Sequence, residues 1–152
     1  MDQNQTVGTT MVSKLDRPEA YAALLEDIAK RWLAHDGLWF QAAEKEYGME
    51  AIQLDAAAWE HFAALEAERI KKLFHLPENV GLPVLGEALG LRLYALLNRQ
   101  EIIMADETRL IFRMNEYRVQ TARQRKSLPD FPCKSVGLVE YASFARVINP
   151  RI

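Results

Sequence analysis

Residues 109–115 read RLIFRMN, and this stretch distinguishes a mixed fold from an all-helical one. Apolar side chains occupy positions 110, 112 and 114, and polar side chains occupy the odd positions except for Ile111. A strand with this alternation has one apolar face and one polar face. We therefore predict at least one strand here, in a short sheet built around residues 108–119.

The chain before this stretch shows helical periodicity instead. Apolar residues recur every three or four positions and predict helices over residues 18–34, 55–75 and 83–98. Asp16 and Asp55 are the expected N-caps of the first two helices. Gly48 is the expected left-handed end of the first helical region, which the His-Asp-Gly sequence at 35–37 would bend or interrupt. Pro77 forbids continuation of the second helix.

The chain after the predicted strand changes character twice. Residues 121–126 either extend the strand or form a helix. Two prolines predict an extended connection over residues 128–132, because proline biases the preceding residue away from the helical conformation. A last helix is expected from Cys133 to the residue before Pro150. The prediction is an α+β fold, with a helical N-terminal two thirds and a short sheet and final helix in the C-terminal third.

Composition is typical of one globular domain. The 152 residues are 49% hydrophobic and 26% charged, which is too apolar for a disordered chain. We expect residues 1–15 to be a flexible leader without a secretory signal, and residues 16–152 to form a single domain. No apolar run approaches the roughly 18 to 20 residues that a spanning helix needs, so no membrane partner is expected. Cys133 stands alone, which excludes an intrachain disulfide and favours a cytoplasmic location.

The first predicted helix has an apolar stripe at helical spacing, and its members are Tyr21, Leu24, Leu25, Ile28, Trp32 and Leu33. Such a stripe is typical of a helix that packs on one side. Trp32, Trp39 and Trp59 are interpreted as anchors of the core rather than as a cage for a ligand.

Charge is distributed unevenly along the chain. Residues 1–107 hold 18 acids and 10 bases, whereas residues 108–152 hold 3 acids and 9 bases. Two interpretations remain open. The two parts attract each other and pack together, or they form two surfaces with different partners.

Cys133 is the candidate catalytic residue. It follows Pro132, precedes Lys134 and opens the last predicted helix. A helix N-terminus and a neighbouring cation both stabilise a thiolate, so a functional Cys133 should have a lowered pKa. The alternative is a small buried hydrophobic residue. The three histidines lie far away in sequence, so no base is identified for a nucleophilic mechanism.

Basic residues of the C-terminal third are the candidate ligand-binding residues: Arg113, Arg118, Arg123 and Lys134. Guanidinium groups suit carboxylates and phosphates, which predicts a small acidic molecule as a partner. Nucleic acid is disfavoured because few aromatic residues alternate with these bases. An internal salt network is the alternative.

Two acid-histidine groups have the residue types of metal ligands. His35 and Asp36 with Glu44 form one group, and Glu60 and His61 with Glu68 form the other. Neither spacing forms a known metal motif, so both are interpreted as solvated surface or capping residues. No metal site is predicted and no cofactor is indicated.

Two longer segments carry a resemblance to known proteins. They are LIFRMNEYRVQTAR at 110–123 and LPDFPCKSVG at 128–137, with weaker similarity at 32–47 and 93–100. They resemble an uncharacterised family of bacterial and archaeal cytosolic proteins. More remotely, the layout is similar to the L-2-amino-thiazoline-4-carboxylate hydrolase family, whose members open a cyclic carbon–nitrogen bond. That resemblance implies Cys133 as a functional residue.

The chain departs from the resembled pattern at two points. Tyr117 stands where cysteine is frequent, and the sequence ends where a cysteine-rich tail is expected, which suggests a truncated or unusual member. The functional hypothesis is a small-molecule-handling protein of hydrolase type that acts on a small acidic carbon–nitrogen compound. A non-catalytic small-anion binding or sensor module and a helical protein that forms homo-oligomers are the alternatives.

Overall fold

A computed structural model describes residues 17–78 and 80–151. Its elements are α1 (Pro18–Tyr47), α2 (Ala51–Phe74), α3 (Leu82–Gly90), β1 (Arg99–Asp106), β2 (Arg109–Glu116), α4 (Arg118–Arg125) and α5 (Cys133–Ile148). Short 3-10 helices occupy Gly48–Glu50 and Leu93–Leu96. The predicted α+β fold, with helices first and a short sheet and last helix at the end, is confirmed.

The first two helices form a hairpin. Helix α1 runs unbroken through residues 35–37, and Gly48 ends it with a positive φ of 58°. The predicted cap Asp16 and the predicted leader, residues 1–15, lie outside the described residues. The prediction that Asp55 caps α2 is wrong, because that helix begins at Ala51. Asp55 therefore lies inside the helix, where its side chain can face the interior of the fold.

The third helix is shorter than predicted. Helix α3 ends at Gly90 instead of continuing to residue 98. The chain after Gly90 leaves the helical path because Glu66 holds it. Glu66 accepts hydrogen bonds from Arg92 Nε at 2.8 Å and from the backbone N–H of Leu93 at 2.9 Å. A tertiary contact thus outweighs the helical periodicity of the leucines.

The sheet consists of two antiparallel strands in the described part of the chain. Strand β2 confirms the predicted strand, and its Phe112 pairs with Ile102 of β1. Strand β1 was not predicted, because Ile102, Ile103 and Met104 are consecutive apolar residues without alternation. Residues 121–126, for which strand and helix were both open, belong largely to α4.

The core has two clusters of buried side chains. In the first, α2 and α5 pack closely because the small residues Ala63 and Ala67 let Phe144 and Ile148 approach and become fully buried. The second cluster surrounds Phe40, Trp59, Tyr94 and Phe131. None of the helices in residues 17–78 and 80–151 is long and apolar enough to cross a membrane.

The tryptophans divide into two groups. Trp59 is buried as predicted, but Trp32 and Trp39 are 44% and 64% exposed. Their interpretation as core anchors is wrong, because α1 centres another face on the core, and Trp32 reaches only its edge, where it stacks on Phe62 with ring centroids 6.0 Å apart. That face carries the buried residues Ala29, Phe40 and Ala43.

Candidate functional site

A cavity of about 440 Å³ lies between α1, α2, β2, α4 and α5. Its volume is in the range of small-molecule sites, roughly 300 to 1,000 Å³. Three ring pairs contribute to its wall. Trp59 and Tyr94 have centroids 5.1 Å apart, Phe40 and Phe131 meet edge to face at 4.9 Å, and Phe112 and Tyr141 are 4.8 Å apart. The wall is therefore largely aromatic.

Three carboxylates line the same cavity, each from a different helix. Asp36 comes from α1, Asp55 from α2 and Glu140 from α5. Tyr94 Oη donates a hydrogen bond to Asp36 Oδ2 at 3.0 Å. Burial raises the pKa of Asp36, although this hydrogen bond opposes the increase.

Asp55 is the carboxylate whose pKa is raised into the neutral range. Burial, with repulsion from Asp36 and Glu140, raises its pKa to about 7, while a hydrogen bond from Trp59 opposes the increase. Its proton is thus gained and lost near neutral pH. A group of this kind in a cavity is suited to bind a cation or to transfer a proton.

Glu140 belongs to a buried ionic network behind the cavity. Its Oε1 lies 2.7 Å from Arg92 Nη2, and Arg92 is also bound to Glu66. Burial raises the pKa of Glu140 even though Arg92 opposes it. In the described structure the ion pair with Arg92 is the contact of Glu140 Oε1, which has no further hydrogen-bond donor. Arg92 itself stacks on Phe144, with 4.8 Å from its Cζ to the ring centroid.

Arg123 is the predicted ligand-binding residue that reaches the cavity wall. Its guanidinium donates to both carboxylate oxygens of Glu44, at 3.1 and 2.8 Å, and its Nε donates to the Pro129 carbonyl at 2.6 Å. The side chain is 5% exposed. The Arg123 guanidinium therefore makes its hydrogen bonds within the fold. This agrees with the alternative interpretation of the arginines as an internal salt network.

The other predicted basic residues do not join Arg123. Arg113 is exposed on β2 and pairs with Glu101 at 3.3 Å. Arg118 is exposed at the start of α4. Lys134 borders an open hollow on the outer surface, beside Pro132 and Leu138. The fold does not collect these residues into one site.

Cys133 lies at the first position of α5, as predicted, and contributes to the cavity wall. Its Sγ accepts a hydrogen bond from Gln120 Nε2 at 2.7 Å and donates one to the Phe131 carbonyl at 3.2 Å. Burial raises the pKa of this thiol, although Gln120 opposes the increase. This direction is opposite to that expected of an activated thiol, because desolvation, together with repulsion from Asp130, outweighs the hydrogen bonds to the sulfur.

Three phenols complete the polar part of the cavity. Burial raises the pKa values of Tyr94, Tyr117 and Tyr141. All three therefore stay protonated at neutral pH and serve as neutral hydrogen-bond donors and ring surfaces.

The carboxylates of the site were missed in the sequence, although one signal was present. Glu140 stands between Val136 and Phe144 on the buried stripe of α5, where an acid is unexpected. The local pattern instead suggested a cap for Asp55 and a surface group for Asp36. Within the described residues, no group of three or more His, Cys, Asp and Glu side chains is arranged to hold a metal ion.

Residues 13–152 match the family of unknown function DUF6125, so the chain belongs to that family. Comparisons with curated proteins and with solved structures each found no significant match.

Proposed function

We propose that this protein binds a small organic cation in the cavity between its helices. The observation that supports the proposal is an aromatic wall with three carboxylates, Asp36, Asp55 and Glu140, where the guanidinium of Arg123 is already bound to Glu44. A positively charged ligand would balance the negative charge of this wall.

The electrostatics favour a cation over an anion. Including the groups directly behind the wall, five carboxylates face two guanidiniums in the described chain, since Glu44 and Glu66 join the three acids and Arg92 joins Arg123. An anion would be repelled at short range by this excess of carboxylates. This arrangement supports a basic ligand rather than the acidic one expected from the arginines.

The aromatic rings favour an organic cation over a hydrated metal ion. A ring face attracts an ammonium or amidinium group by about 0.5 to 2 kcal/mol, more when water is excluded. Trp59, Tyr94 and Tyr141 line the cavity beside the carboxylates, and the Tyr141 ring already binds one cation, since Arg92 Cζ lies 4.9 Å from its centroid. The ligand is therefore expected to join a positive head group to a short apolar body.

Three probes of similar size and different charge test the proposal. Choline is the cation, 3,3-dimethylbutan-1-ol is its neutral isostere and 3,3-dimethylbutanoate is the anion. In calorimetric titrations at about pH 8, choline should bind roughly tenfold or more tightly than the alcohol, and the anion should bind weakest. Equal affinities would contradict the proposal, and tightest binding of the anion would contradict it and restore the small-anion hypothesis.

A second candidate function is hydrolysis of a cyclic carbon–nitrogen bond, as the remote resemblance implies. One observation favours it, because Asp55, with a pKa of about 7, and Cys133 line the same cavity. Asp55 would act as a general base and the thiol would line the cavity. The test is loss of ring absorbance when the protein is incubated with L-2-amino-thiazoline-4-carboxylate. Turnover that the Asp55→Asn variant abolishes would support hydrolysis, and no turnover would leave binding as the function.

A further inference from the structure

Helix α1 has a second apolar face that the described chain leaves largely exposed, although Trp32 at its edge also stacks on Phe62 of α2, with ring centroids 6.0 Å apart. Its large side chains are Tyr21, Leu25, Ile28, Trp32 and Trp39, which are 44% to 64% exposed. We call these five residues the α1 seam. The helix thus uses one face for the core and presents another to its surroundings.

The spacing of the α1 seam is that of a coiled coil. Steps of four and three residues alternate from Tyr21 to Trp32, and a further heptad leads to Trp39. This is the 3.5-residue repeat of a and d positions, through which two helices interlock. A single face that only packs on a globular core is wider and follows a period nearer 3.6.

We infer that the α1 seam is a dimer interface, occupied by the α1 seam of a second copy in antiparallel orientation. The order of side chains supports this occupant. With a two-fold axis between Leu25 and Ile28, Leu25 meets Ile28 of the second copy and Tyr21 meets Trp32, while Trp39 lies beyond the paired part of the seam. Aliphatic residues then lie at the centre and aromatic residues at both ends. A parallel pairing would instead place the two Trp32 indoles against each other.

The exposed surface supplies the apolar centre of a dimer interface. At their exposed fractions the four paired side chains present roughly 400 Å² per protomer, about half of the roughly 800 Å² per partner in a standard interface. Polar neighbours would add the remainder at the rim. Asp27 and Arg31 form an exposed ion pair at 2.9 Å beside Ile28, as expected of such a rim.

The inference does not depend on the cation site, and sedimentation velocity tests it. Between about 1 and 100 µM, the wild-type protein should shift from monomer towards dimer. The variants Leu25→Lys and Ile28→Glu should each be monomeric, because each places a charge at the centre of the interface. Leu138→Glu is the matched control, since Leu138 is 65% exposed on α5 and lies outside the seam. Circular dichroism checks that each variant remains helical.

Mixing the two charged variants tests the antiparallel orientation. In that orientation the lysine introduced by Leu25→Lys faces the glutamate introduced by Ile28→Glu, so a heterodimer should form although neither variant dimerises alone. In a parallel pair the two charges would not meet, and mixing would restore nothing. A wild-type monomer at all concentrations, or a dimer that survives Ile28→Glu, would overturn the inference. Binding of the monomer to anionic vesicles through the seam would also overturn it.

Discussion

Asp55 has a carboxyl group that the fold holds partly protonated at neutral pH. Its pKa of about 7 lies above the ordinary value near 4, so between these values the folded protein binds more protons than the unfolded one. Stability contributed by this site is therefore lost as pH rises from about 4 to about 7. At neutral and higher pH the ionised Asp55 carboxylate therefore costs the fold stability.

The variant Asp55→Asn should remove this cost. At about pH 8 we expect it to raise the free energy of unfolding by roughly 1 to 2 kcal/mol, after discounting for solvent access to the carboxylate. At about pH 4 it should change little, because the carboxyl group is then largely protonated in the folded state and half protonated in the unfolded one. Urea unfolding at the two pH values measures the difference. Equal effects at both would mean that Asp55 does not titrate as described.

Choline binding should depend on the same titration of Asp55. Ionised Asp55 destabilises the fold, but it should strengthen choline binding. A cation is attracted to ionised Asp55, so choline binding should release a proton when pH lies below about 7. The affinity for choline should fall as pH decreases from about 8 to about 5, by at most about tenfold per pH unit for one proton. Choline has a permanent charge, so its own titration does not contribute. A pH-independent affinity would exclude Asp55 from the site.

At the scale of elements, α3 packs on the sheet through a glycine. A Cβ at Gly86 would lie 3.0 Å from Ile102 Cγ2 and 3.3 Å from Leu110 Cδ1, whereas a Cβ at Gly90 would meet nothing within 4 Å. We expect Gly86→Ala to destabilise the fold by about 1 to 3 kcal/mol through overpacking. Gly90→Ala, the matched control in the same helix, should be neutral or stabilising by up to about 1 kcal/mol. Thermal unfolding compares them, and a stable Gly86→Ala protein would show that the sheet can move away.

The network at Arg92 joins α2, α5 and the connection after α3. Arg92→Met would leave Glu66 and Glu140 without their buried cation, so we expect a loss of about 3 to 5 kcal/mol. Arg113→Met, which breaks the exposed pair with Glu101, should cost under about 1 kcal/mol. Chemical denaturation of both variants measures the contrast. Equal losses would mean that the Arg92 network is no more important than a surface pair.

Elements with a clear period were predictable from the sequence, and elements set by tertiary contacts were not. Strand β2 and helix α5 follow their local patterns. The end of α3 depends on Glu66, which is 24 residues before Gly90 and carries no local signal there. The cavity is less predictable still, because Asp36, Asp55 and Glu140 meet only after three helices have packed.

At the scale of the whole molecule, the uneven charge along the sequence is partly balanced inside the fold. Arg123 of the basic part binds Glu44 of the acidic part, as the self-packing interpretation expects. The pair of Arg92 and Glu140 has the reverse polarity, with the base from the acidic part. Charge pattern alone therefore predicts attraction between the parts, but not the excess of carboxylates around the cavity.

In the proposed function, carboxylates of the cavity recognise the positive charge of a ligand. The most direct test is the ratio of choline affinity to 3,3-dimethylbutan-1-ol affinity, measured by calorimetry for the wild-type protein and for Asp36→Asn with Asp55→Asn. Glu60→Gln with Glu87→Gln is the control, because it removes two exposed acids from outside the cavity wall. We predict a ratio of about ten or more for the wild type and the control, falling towards one in the cavity variant while the alcohol binds unchanged. A wild-type ratio near one would contradict recognition of the ligand's charge by these carboxylates. So would a high ratio that the cavity variant preserves.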